Sequence, residues 1–168
     1  MHTRFMLSVL TLTLLTGCPS TDKDTGGDSG FNPDADADTD TDTDTDTEFL
    51  AARALWESGP VGNYVYTLQW SCFCPDEYVQ AAEIVVREAS VTSATYVSDG
   101  SPVVEGFDAL TIDELFDLVW DSYTRDALVF VEYDPTVGFP TAASFDYYPD
   151  MAHDELAFTA SDLAAFTE

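Results

Sequence analysis

Positive charge is what this chain has least of. Five Lys and Arg stand against 32 Asp and Glu, for a formal net charge of −27. Such a field repels phosphate backbones and anionic membrane surfaces, so nucleic acid is not an expected partner. Cysteine is sparse too, with Cys18, Cys72 and Cys74 alone. Histidine beyond position 2 is limited to His153, which leaves little for a nitrogen-rich metal site. No Gly-rich phosphate loop and no internal repeat occurs. No serine sits in the Gly-x-Ser-x-Gly elbow that nucleophilic hydrolases use. The apolar run Phe5–Leu15 is also too short to span a bilayer, which takes roughly 20 residues.

That short run reads instead as part of a leader. Arg4, the apolar stretch and then Leu15-Thr16-Gly17-Cys18 have the pattern of a lipoprotein signal, with cleavage before Cys18 and lipid on its sulfur. Residues 1–17 are therefore expected to be removed. Pro19 follows the cysteine in place of the Asp associated with inner-membrane retention. A bacterial cell-envelope location is expected, with the outer membrane favoured and the side it faces left open.

Residues 18–48 read as a disordered acidic tether, since repeated Asp-Thr offers nothing apolar to bury and repels itself. Thirty such residues reach about 100 Å when stretched and about 30 Å as a relaxed coil. Alternate Asp residues resemble part of a calcium loop, but the run lacks the internal glycine of that geometry. Weak, diffuse association with divalent cations, by this tract or by the acidic surface, is the remaining alternative.

At Phe49 the composition changes, and residues 49–168 are long enough for one core. Their 21 acids against Arg53, Arg87 and Arg125 keep the domain acidic too. Phe49–Trp56 predicts a short helix. Tyr64, Tyr66, Leu68 and Trp70 alternate with more polar residues, as in a strand. Ala82–Glu88 and Val91–Val97 predict a hairpin. Thr111-Ile112-Asp113-Glu114 is a capping box, followed by Leu115, Phe116, Val119 and Tyr123 at helical spacing. Leu128–Asp134 and Thr141–Tyr148 predict a second hairpin, and Leu156–Ala160 a short last strand. The expected fold is α+β: one antiparallel sheet of five or six strands, with a main helix at about 111–124 and a short N-terminal helix packed on it.

Several of these segments also resemble a known family. Asn63-Tyr64-Val65-Tyr66-Thr67-Leu68-Gln69 followed by Ser71-Cys72-Phe73-Cys74 is similar to the bacterial secreted and lipoprotein family called domain of unknown function 6174. The likeness continues through Thr111–Asp117, Tyr133-Asp134-Pro135, Gly138-Phe139-Pro140 and Asp154-Glu155-Leu156 with Phe158-Thr159. The chain departs from that pattern at Trp70, where a basic residue is expected, and at Glu88-Ala89-Ser90, where a tighter Asp-Gly turn is usual. The resemblance implies a domain and carries no catalytic residue.

With Cys18 lipidated, Cys72 and Cys74 remain, and an oxidising envelope favours their pairing. Positions i and i+2 of a regular strand lie about 6.5–7 Å apart, so pairing requires a bend, and Pro75 fits a strand that ends there. The bridge reads as a local staple, with thiol–disulfide exchange as the alternative. His153 beside Asp154-Glu155, three residues after Asp150, has the chemistry of a metal ligand or general base, but the pattern is that of a solvated turn. Asp134 reads as a strand-ending turn residue. The Tyr64, Tyr66, Trp70 stripe reads as core unless its sheet face is open. No catalytic residue, metal ligand or cofactor is assigned. The sequence therefore points to a non-enzymatic domain that binds an envelope protein, a peptide or a surface component, attached to the membrane through its lipid.

Overall fold

The computed structural model describes residues 41–59, 62–125, 127–151 and 153–167, with side chains from Thr47 onward. Cys18, the leader and the first part of the tether lie outside them. Helix α1 (Thr41–Ser58) is followed by strand β1 (Tyr64–Cys72), a 3-10 turn (Asp76–Tyr78), strands β2 (Ala82–Arg87) and β3 (Ser90–Tyr96), and helix α2 (Ile112–Thr124). Strands β4 (Leu128–Tyr133), β5 (Pro140–Asp146) and β6 (Leu156–Ala165) complete the domain. All six strands form one antiparallel sheet in the order β3-β2-β1-β6-β5-β4. The α+β expectation holds.

Period-two burial decides which face is inside. Tyr64, Tyr66, Leu68 and Trp70 of β1 are buried together with Ala82, Ile84 and Val86 of β2, Ala143 and Phe145 of β5, and Phe158 and Ala160 of β6. Helix α2 contributes Ile112, Leu115, Phe116 and Val119 to the same core. Its start is fixed by the capping box that the sequence shows. The Thr111 hydroxyl accepts from the Glu114 amide at 3.2 Å, and the Glu114 carboxylate accepts from the Thr111 amide at 2.7 Å. Helix α1 joins through aromatic contacts, with Phe49 edge-on to Phe116 at 5.8 Å and Trp56 edge-on to Tyr64 at 5.5 Å. Arg53 ties the two helices by pairing with Glu57, Asp113 and Asp117 while lying over the Phe116 ring.

Two elements differ from expectation. Helix α1 begins at Thr41 rather than Phe49, so the last part of the tract read as disordered tether is helical. The boundary at 48 follows the change in composition, whereas the helical backbone already starts at Thr41. The last strand, β6, is ten residues long where the sequence predicts a short one over Leu156–Ala160, and it lies at the centre of the sheet. The β1–β6 register shifts between Val65 and Thr67, and Asp162 takes a left-handed φ of 56°. That irregularity is a bulge, and it interrupts the alternation that marks the strand.

Candidate functional site

The aromatic stripe of β1 does more than fill the core. Each polar tip engages the segment that leads into α2. The Tyr64 hydroxyl accepts from the Ile112 amide at 2.9 Å, the Tyr66 hydroxyl donates to the Leu110 carbonyl, and the Trp70 indole donates to the Asp108 carbonyl at 2.9 Å. Burial pushes the Tyr64 phenol up to about 12 and the Tyr66 phenol higher. These rings are structural: the stripe is buried on the covered face of the sheet.

Where β1 ends, the chain turns outward. Cys72 and Cys74 form a disulfide with their Cα atoms 5.2 Å apart, closer than two alternate residues of an extended strand. The bend that the spacing demanded is therefore present, just before Pro75 and the 3-10 turn. The residue held between the two sulfurs is Phe73, and 79% of it is exposed. A phenylalanine so placed has lost the benefit of burial, roughly 1.5–3 kcal/mol for such a side chain.

The loop before β6 comes to meet it. His153, in a left-handed conformation with φ of 80°, stacks its ring on Phe73 at 4.4 Å between centroids and 29° between planes. Its amide donates to the Glu155 carboxylate at 3.0 Å. The next residue, Asp154, turns both carboxylate oxygens inward, with no hydrogen-bond partner among the described residues. A cavity of about 280 Å³ opens beside the bridge, lined among others by Trp70, Cys74, Pro75, Tyr78, Asp108 and Leu156. A second cavity of about 440 Å³ shares Trp70 and Cys72 and reaches Gln69, Ser71 and Thr159. The end of the sheet at β1 and β6 thus combines an exposed aromatic pair, a disulfide and two hollows. Sequence reasoning found the cysteines but not the meeting of Phe73 with His153, because a contact between distant segments leaves no local signal.

Electrostatically this end is acidic like the rest. Arg53 is engaged as above, Arg125 pairs with Asp121 at 2.6 Å, and Arg87 lies over the Phe166 ring at 4.7 Å. No group of three His, Cys, Asp or Glu side chains is placed to hold a metal ion among the described residues. His153 and Asp150 therefore do not form part of such a group, and no described helix is long and apolar enough to cross a membrane.

Residues 48–165 match the Family of unknown function (DUF6174), well over half of the chain. The chain belongs to this family. No curated protein and no solved structure matches it. Within the DUF6174 domain, several of the motif residues turn out to be joints. The Asn63 side-chain oxygen accepts from the Glu88 amide at 3.1 Å, tying the start of β1 to the β2–β3 turn. Asp134 accepts from the Thr136 and Val137 amides, both at 2.8 Å, and so shapes the loop that carries Gly138, as its reading as a turn residue anticipates. Trp70 is buried and bonded to Asp108. Phe73, held between Cys72 and Cys74, is a large apolar motif residue that faces outward and takes no part in the core.

Proposed function

We propose that this DUF6174 domain is a non-enzymatic interaction module whose contact point is the disulfide-held Phe73. The observation that carries the reading is the exposure of that ring between two bridged cysteines, stacked on His153 and flanked by the 280 Å³ cavity. An aromatic ring fixed by a short covalent loop loses little conformational entropy on binding, which is the property of a good anchor residue. In this reading Cys18 carries a lipid, residues 19–40 supply reach, and the partner is an envelope protein, a peptide or a surface component.

A photoreactive phenylalanine analogue at position 73 of the full-length protein, irradiated in intact cells, tests the contact point. A discrete adduct is expected there and not from the same analogue at Leu50, which is also exposed. Equal labelling at both positions, or none at 73, overturns the assignment. The anchor is tested separately: Cys18→Ala is expected to leave the membrane fraction.

One observation favours a redox reading as the second choice. His153 stacks on Phe73, the residue between the two cysteines, which brings an imidazole beside the bridged loop. In that reading a partner dithiol attacks the bridge, its two thiols become a disulfide, and Cys72 and Cys74 leave as thiols. Thiol trapping in graded glutathione buffers separates the two. A potential below about −300 mV marks a clamp, and one near −200 mV with rapid exchange marks an exchange site.

A further inference from the structure

The two edges of the sheet are treated differently. Outside β3 the chain covers its own edge: Thr95 bridges Pro102, Tyr96 donates its amide to Ser101 at 2.8 Å, and Val103 donates to Ala94 at 3.2 Å. Outside β4 nothing does so among the described residues, where β5 occupies the one paired side. An open edge presents a row of backbone donors and acceptors, which proteins normally guard with Lys, Pro, a bulge or a covering segment. The stretch Leu128–Tyr133 contains neither Lys nor Pro, and its register shift comes only between Glu132 and Tyr133.

The side chains of β4 show what the edge would accept. Leu128 and Phe130 are 62% and 61% exposed, and Glu132 is exposed on the same face two residues on. Their neighbours on β5 are Asp146, Ser144 and Ala142 in that order, so the two apolar side chains stand above a small, polar surface. The surrounding charge argues about the occupant. The domain holds 21 acids and three Arg, and each Arg is already engaged. A second copy would bring a like-charged surface against this one.

We propose that the outer edge of β4 binds an extended, basic polypeptide segment by strand addition. Antiparallel pairing, which the whole sheet uses, sets the pattern of that segment. A Lys or Arg lies opposite Glu132, and apolar residues lie opposite Phe130 and then Leu128. From its N-terminus the segment reads basic-x-apolar-x-apolar. This inference does not rest on Phe73 or the disulfide.

The probe is a fluorescein-labelled peptide, Thr-Lys-Thr-Val-Thr-Val-Thr, titrated by anisotropy against the full chain, with hydrogen exchange as the site readout. Binding is expected to protect the amides of residues 128–133. Replacing the peptide Lys by Glu is expected to weaken it at least ten-fold, and Glu132→Lys to reverse that preference. Phe130→Thr leaves the charge unchanged and is expected to lose at least five-fold while its circular dichroism stays native. Equal affinity for Phe130→Thr, or protection elsewhere than β4, means that the acidic surface merely attracts a cation, and overturns the proposal. So does a dimer in sedimentation that Phe130→Thr abolishes, since the occupant is then a second copy.

Discussion

Adding one methyl group at Gly138 is expected to undo the seating of α1. This glycine has φ of +89°, and a Cβ built on it meets the Ala52 carbonyl oxygen at 2.3 Å, the Trp56 nitrogen at 2.9 Å and Leu55 Cβ at 3.0 Å. Two of these atoms are helix backbone, which no rotamer change can move aside. The left-handed conformation costs an L-residue about 1–2 kcal/mol. Overpacking against a rigid neighbour costs about 1–3 kcal/mol more. The less flexible unfolded chain returns about 0.4–1 kcal/mol. Gly138→Ala is therefore expected to lose about 3 kcal/mol, or on the order of 10 °C in melting temperature for a domain of this size. Gly100 supplies the control, with φ of +72° and nothing within 4 Å of its built Cβ. Gly100→Ala carries only the dihedral cost, about 1 kcal/mol after the entropy return. Thermal melts of the two variants by circular dichroism measure the difference. Equal losses would refute the reasoning, because the close approach to α1 would then contribute nothing.

Three other changes probe different joints. The β2–β3 turn places Glu88 and Ala89 at φ of 49° and 58°, so Ala89→Gly is expected to gain about 0.5–1 kcal/mol in urea unfolding; a lower midpoint contradicts it. Thr111→Ala removes the N-cap of α2 and is expected to cost about 1 kcal/mol, which Thr111→Ser largely restores in the same assay. Alkali is expected to destabilise the domain before Tyr64 itself ionises. Its buried phenol is held up to about 12 while the unfolded phenol ionises near 10, so its contribution is complete below pH 10 and is lost between 10 and 12. Tyr64→Phe is expected to make that part of the stability profile shallower, the remaining loss coming from Tyr66 and Tyr133, whose phenols burial also raises; denaturant midpoints from pH 9 to 12 measure it.

What could be read from the chain was what neighbours in sequence decide. The Thr111–Glu114 box fixes the start of α2 within its own first turn, and the β2–β3 hairpin needs only two β-rich runs and a short break. The alternation from Tyr64 to Trp70 is likewise local. The bend at Cys72–Cys74 followed from the reach of an extended backbone. The features that escaped are those decided at a distance. The bulge at Asp162 masks β6 because its meaning depends on pairing with β1. The start of α1 falls inside a charged tract that composition alone reads as unstructured. His153 looks like a solvated turn residue until Phe73 is brought beneath it. The openness of β4 is a property of the whole sheet order, which no single strand encodes.

That order also sets a timetable. The first strand pairs with the last, and the two lie side by side at the middle of the sheet rather than at its rim. Until Leu156–Ala165 arrives, β1–β2–β3 and β4–β5 are two separate meanders, each with an unsealed inner edge. Long-range pairing must close a large loop before it is rewarded, so little can lock in early. The chain therefore commits to its structure late, when the strand that joins both halves is in hand. A polypeptide of this design remains threadable through most of its length.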